Sequence, residues 1–228
     1  MTIAALVRGR AMTYNALVVD TGAVRSDGFI ADHDKLHRVF GDTYLTCVGD
    51  ATLLPILLSS AKASKRRPNL RDSGFISSLF SELQIARKSG LVLGVPTAFP
   101  ATTPPCTILA VCNREQAFFW KVNFDVATDM HVIPTAPTFL EPNSMIVLRG
   151  VTVATLEGFT TVDAANAEEV IVDQMINVNA EIEKGAGAEK LPYQMKRRVS
   201  GIILPHKTSD AATRIDPGVP PMPMRGLT

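Results

Sequence analysis

The apolar positions of this chain fall mostly into short β-type runs, with a few stretches of helical spacing between them. "TIAALVRG" at 2–9 and "TYNALVVDT" at 13–21 are apolar and β-branched. A polar, glycine-containing break separates them, a pattern that predicts a hairpin. "GFIADHDKLHRVF" and "TYLTCVGD" predict the next strands, the second ending at Gly49-Asp50. Asp50 can then N-cap an apolar helix, "ATLLPILLSSAKAS", in which Pro55 fits the first turn if the regular helix begins near Leu54. In "RPNLRDSGFISSLFSELQIARKSG", Phe75, Leu79, Leu83 and Ala86 recur at helical spacing behind Asp72 or Ser73 as cap, and Gly90 stops the run.

After a Pro/Thr-rich loop at 96–105, "CTILAVCN", "QAFFWKVN" and "VATDMHVIP" predict three strands, the first two separated by a polar turn around 113–115. "TAPTFLEPNS" reads as irregular. "SMIVLRGVTVATLEG" stays open between helix and strand, because its valines and Gly150 spoil the helical case. "TTVDAANAEEVIVDQMINVNAEIEKG" predicts a helix capped by Asp163 and ended at Gly185, and "VSGIILP" a last strand. From Lys207 the chain turns polar and then runs into "DPGVPPMPMRGLT", whose prolines suit neither a sheet nor a helix interior. The expectation is one domain over 1–206 and an extended Pro-rich tail over 207–228. Blocks of strands separated by helices imply an α+β protein with antiparallel sheets and helices layered outside.

Composition adds limits. The chain has 228 residues, 46% of them hydrophobic, enough for one packed core. A formal charge of +1 offers no global attraction to nucleic acid, and the basic runs "SKRRP" and "MKRR" lack interleaved aromatics. No nucleic-acid partner is therefore expected. No apolar run approaches the roughly 20 residues of a membrane span, so no membrane partner is expected either. Cys47, Cys106 and Cys112 are odd in number, lack metal-ligand spacing and sit in apolar strand-like settings. They predict buried reduced thiols and a reducing compartment: the cytoplasm, or a particle assembled in a host cytoplasm.

Candidate chemistry is sparse. There is no P-loop, no GxSxG and no zinc-type histidine spacing. His33 and His37 alone do not make a metal site, so neither a metal nor a cofactor is expected. Thr2, Asp20 and Lys35 each have an ordinary local explanation. Threonine favours strands, aspartate before Thr21-Gly22 starts a turn, and a lysine beside His33, His37 and Arg38 suits a solvated face.

Taken together, and in this order, these residues resemble the proteasome β-subunit family of N-terminal-nucleophile hydrolases. The related bacterial peptidase that works beneath an unfoldase ring is an equally good template. The resemblance is carried by Thr2 opening the first strand, "VVD" ending the second, "DKLHRVFGDTYLTCVGD" as a lysine-bearing strand with a glycine exit, and "TVDAANAEEVIVDQMI" as the penultimate helix. It spans most of 2–204. It implies a four-layer αββα sandwich, assembled as a homo-oligomer in a ring or particle.

It also implies site residues. Thr2 would be the nucleophile, Asp20 the carboxylate, Lys35 the ammonium and Ser200 the serine supporting the amine, with the Gly49 N–H in the oxyanion-stabilising place. The logic is physical. A threonine hydroxyl is a weak nucleophile at neutral pH, and an N-terminal α-amine, with a pKa near 8, can act as its base. A lysine held as ammonium by an aspartate lowers the cost of negative charge on the hydroxyl.

The departures from the family pattern bear on activity. The segment between Thr2 and Asp20 is slightly longer than the family's, and that between Asp20 and Lys35 slightly shorter. Where the family has a Gly-Ser-Gly-type loop, this chain reads "IPTAPTFLEPN", over 133–143. Where it has an aspartate before the late serine, "MKRRVSG" offers Arg197 and Arg198. In a chain that keeps Met1, Thr2 has a peptide nitrogen that cannot act as a base.

Two readings follow. One is a proteasome-like subunit with a degenerate site and a structural or assembly role, in a virion or another large particle, its tail docked on a neighbouring subunit. The other is an active N-terminal-threonine peptidase or amidase after Met1 removal.

Overall fold

The computed structural model describes residues 2–24, 30–32, 34–48, 106–125, 131–134, 136–149, 152–156, 167–185 and 199–216. The predicted opening hairpin is strand β1 (Ile3–Arg8) paired antiparallel with β2 (Tyr14–Asp20). Its turn carries positive φ at Ala11 (50°) and Met12 (58°), and the Thr13 N–H donates to the Arg10 carbonyl at 3.1 Å. This is the mirror-image turn whose twist matches that of the strands it joins.

The hairpin forms the centre of a six-stranded antiparallel sheet. β11 (Ser144–Arg149) and β12 (Thr152–Leu156) extend it on one side, and β13 (Val199–Pro205) and β14 (Thr213–Ile215) on the other. The second sheet is ordered β10 (Thr138–Phe139), β8 (Ala117–Asp125), β7 (Cys106–Cys112), β6 (Thr43–Val48), β5 (His37–Phe40), with β9 (His131–Pro134) also paired to β8. A small ribbon joins β3 (Gly22–Val24) to β4 (Ile30–Asp32). Helix α1 (Ala167–Gly185) ends at the predicted glycine.

Strand alternation decides the layers. Odd positions of β1 (Ile3, Ala5, Val7) join Ala16 and Val18 of β2 and Val199 and Ile203 of β13. They pack under Ala167, Ile171, Val172 and Met175 of α1. Even positions (Ala4, Leu6) join Leu17, Val19, Ile202 and Leu204, and face Ile108, Ala110, Cys112 and Phe119 of the second sheet. Each fully buried aliphatic side chain contributes about 2 kcal/mol, so a one-residue register slip in β1 would exchange both sets and is strongly disfavoured. The outer face of the second sheet, with Leu45, Cys47, Leu109, Val111, Phe118 and Trp120, is also buried. Among the described residues the order is therefore helix, sheet, sheet. The two helices expected over 51–90 lie outside them, as do Asp163 and residues 217–228.

Four expectations change. The run at 28–40 is not one strand: Asp34 accepts the Leu36 N–H at 3.2 Å, an Asx-type turn, and β4 and β5 go to different sheets. The open segment at 144–158 holds two antiparallel strands, β11 and β12, because its apolar side chains fill both faces of a sheet. The stretch read as irregular contains β10, where Phe139 lies against Phe118 with ring centroids 5.1 Å apart. The segment expected as tail begins with packed chain: β14 pairs with β13 and buries Ile215. Cys47 and Cys112 are buried and lie outside any disulfide, and burial pushes the Cys112 thiol well above its ordinary value.

Candidate active site

Strands β1, β2 and β13 end together, and this brings the sequence-predicted residues to one place. Val199 stands opposite Asp20 and Ser200 opposite Val19, while Ala4 stands on the other side of Val19. Thr2 and Ser200 continue the alternation that faces the layer between the sheets. Thr2, Asp20, Thr21 and Ser200 are all buried, a run of polar groups at one end of the sandwich.

Asp20 organises this end. Its Oδ1 accepts the Ile3 N–H at 2.6 Å, and its Oδ2 accepts from Lys35 Nζ at 2.7 Å. One carboxylate thus ties the residue after Thr2 to the lysine, across 17 residues of sequence on one side and 15 on the other. The Asp20–Lys35 side chains are only 10% and 14% exposed, so water screens the pair little. Burial pushes the Asp20 carboxyl above its ordinary value, while the Lys35 charge and its hydrogen bond, and then the Ile3 N–H, pull it back. Lys35 is thus the cation that Asp20 holds.

Ser200 Oγ is buried with no hydrogen-bond partner among the described residues. Gly49 lies outside the described residues, so its N–H is not placed. Gly201 has a packing role: a Cβ there would meet Val18 Cγ2 at 2.9 Å, the Leu17 carbonyl at 3.0 Å and Ile215 Cδ1 at 3.1 Å. Among the described residues no three His, Cys, Asp or Glu side chains cluster as a metal site, and no helix is long and apolar enough to cross a membrane.

Sequence reading missed a second polar centre, at the opposite end of the sandwich. Arg114, in the β7–β8 turn, pairs with Asp42 (Nε to Oδ2, 2.6 Å) and donates through NH1 to the carbonyls of Pro205, Lys207 and Asp210 at 2.9, 2.8 and 3.0 Å. Asn15 Nδ2 donates to the Asn113 and Arg114 carbonyls at 2.9 and 3.1 Å. These contacts join the two sheets and fold the segment after β13 back toward β14. A lone arginine in a polar turn carries no sequence signal for such a role.

Neither a family model nor a curated protein matches this chain. Solved structures do. The Anbu (Gly-1) mutant from Hyphomicrobium sp. strain MC1 aligns over 97% of this chain and 89% of its own, at 9% identity and a TM-score of 0.50. BPH from Thiobacillus denitrificans, in complex with epoxomicin, covers 91% of this chain and 100% of its own at 16% identity, with a TM-score of 0.49. Eukaryotic HslV from Trypanosoma brucei covers 90% and 100% at 14% identity, with a TM-score of 0.38. At these identities the likeness concerns the fold alone: this chain has the fold of the proteasome-like N-terminal-nucleophile hydrolases, in a divergent sequence.

Proposed function

We propose that this chain is a subunit of a proteasome-like homo-oligomer in which Thr2, freed by removal of Met1, hydrolyses amide bonds in an unfolded peptide or a small amide. The observation that carries this reading is the Asp20–Lys35 ion pair at the start of β1. A largely buried ammonium held there has a role if negative charge develops on the Thr2 hydroxyl. In this reading Thr2 Oγ attacks the carbonyl carbon and its proton passes to the α-amine, directly or through a water. The Gly49 N–H faces the developing oxyanion, the amine component leaves with the proton, and water then cleaves the ester on Thr2. Ser200 Oγ, buried and unbonded among the described residues, is available to the freed amine.

The same reading gives the chain the full αββα sandwich, with 51–90 as the fourth layer. The buried apolar outer face of the second sheet supports it. It places the protein in the cytoplasm, with residues 217–228 docked on a neighbouring subunit.

A second reading is favoured by the loop at 134–143, which has no serine, and by Arg197 and Arg198 where the family has an aspartate. Under it the fold is kept for structure, in a virion or another large particle assembled in a host cytoplasm. Intact mass of the natural protein and turnover of Thr2→Ala separate the two. Loss of Met1, labelling by an N-terminal-threonine-directed electrophile and loss of turnover in a folded Thr2→Ala variant are expected of the hydrolase. A full-chain mass with Met1 present, or equal activity in wild type and Thr2→Ala, overturns it.

A further inference from the structure

Arg8, the last residue of β1, joins two segments that lie far apart in the chain. Through NH1 it donates to the Leu140 carbonyl at 2.8 Å, in the loop before β11. Through NH2 it donates to Met12 Sδ at 3.0 Å, in the β1–β2 turn. The Asn143 N–H, which donates to the Gly9 carbonyl at 3.3 Å, is a second link between the same segments. The two ends of the Arg8 bridge are unequal. A carbonyl oxygen is a good acceptor, whereas a thioether sulfur is a weak one. The Arg8 Nε–H lies next to NH2 in the planar fork and is buried with no partner among the described residues. The guanidinium thus has a spare donor beside the one that reaches the sulfur. Met12 is also open to small solutes: it is 45% exposed, while Met145 and Met175 are fully buried.

We propose that Met12 is a site of reversible oxidation, at which hydrogen peroxide converts the thioether into a sulfoxide that Arg8 then holds. A sulfur lone pair attacks one peroxide oxygen, and the O–O bond breaks. That oxygen stays on the sulfur, which loses two electrons, and the other leaves as water with both peroxide protons. The sulfoxide oxygen carries partial negative charge and accepts from NH2 and Nε together, so a weak contact becomes a charge-assisted one. In a core the polar product would disrupt packing. At the exposed Met12 it fastens the β1–β2 turn to the loop at 140–143 instead. A methionine sulfoxide reductase reverses the step. β1 places Arg8 about 17 Å from Ile3 at strand rise, so the modification acts on this end of the fold and leaves the chemistry at Thr2 aside.

The test treats the full chain with hydrogen peroxide and reads the melting temperature and the mass of tryptic peptide 11–25, in which Met12 is the only methionine. The peptide is expected to gain one oxygen before Met145 and Met175 do, and the melting temperature to rise by about 2 °C. Met12→Leu, treated in the same way, is expected to show no rise, which separates Met12 from methionines elsewhere in the chain. Met12→Gln, whose amide oxygen stands in for the sulfoxide, is expected to match the oxidised wild type without peroxide. Arg8→Lys lacks the paired donors and is expected to oxidise at Met12 with no rise. A peptide 11–25 that gains no oxygen overturns the site. Oxidation at Met12 that lowers the melting temperature, or leaves it where oxidised Met12→Leu stands, overturns the Arg8 contact, as does a rise that survives in Arg8→Lys.

Discussion

Lys35 Nζ lies 2.7 Å from Asp20 Oδ2, and the other Asp20 oxygen holds the backbone N–H of Ile3, the residue after Thr2. A single carboxylate therefore fixes both the start of the first strand and the ammonium beside it. The geometry makes Asp20 the hinge between the fold and any chemistry at Thr2.

Lys35→Met leaves a buried carboxylate with the Ile3 N–H but without its cation. Breaking one side of a buried pair costs about 3 kcal/mol, a loss that denaturant unfolding measures. The Asp20 carboxyl is expected to titrate higher still. Turnover, where present, is expected to fall by at least about 100-fold in a variant that remains folded. A stability change near zero would place the pair on a solvated surface, against the burial described above.

Asp20 also predicts a pH dependence. Its folded value is raised by burial, so between its ordinary value of 3.8 and the higher folded value the native state binds more protons than the unfolded chain. Stability from this group is fully present below 3.8 and is lost as pH rises through the folded value. The unfolding free energy of wild type minus that of Asp20→Asn is therefore expected to decrease with pH across this window and then level off. An increase across the same window would mean that the Lys35 and Ile3 contacts outweigh desolvation.

Gly201→Ala tests the join between β2 and β13. The added methyl would meet the Leu17 carbonyl at 3.0 Å, and a backbone oxygen inside a sheet cannot move aside as a flexible side chain can. Destabilisation of about 2 kcal/mol is expected, with the largest loss of amide-exchange protection in β13 and β14.

Arg114→Lys tests the far end. Lysine can keep one contact with Asp42 but cannot span that carboxylate and three carbonyls, because it lacks the planar fork. A cost of about 2 kcal/mol is expected. The His206 and Asp210 amides, bonded in the native chain to the Thr13 and Lys207 carbonyls, should exchange faster while those of β1 stay protected. Unchanged exchange at His206 and Asp210 would show that β14 alone holds this segment.

Much of the strand pattern was legible because strand and helix periodicities differ, and because the sheets are buried on both faces. "ALVV" at 16–19 is an unbroken apolar run because β2 faces α1 on one side and the second sheet on the other. The same property made 144–158 ambiguous: a segment apolar on both faces has no period. Thr138–Phe139 was missed because two residues carry no periodicity, and β14 because its neighbours are polar and only Ile215 points inward.

By itself, the sequence determined the opening hairpin, the glycine-ended helix and the order in which Thr2, Asp20, Lys35 and Ser200 occur, since these rest on local spacing and turn chemistry. Only the tertiary structure decided that Lys35 is the cation on Asp20, that the Ile3 amide shares this carboxylate, and that Arg114 closes the opposite end. Each of those depends on strand register and on the facing of two sheets. Contacts between residues far apart in the chain are set by how the sheets pair, and no single segment encodes that.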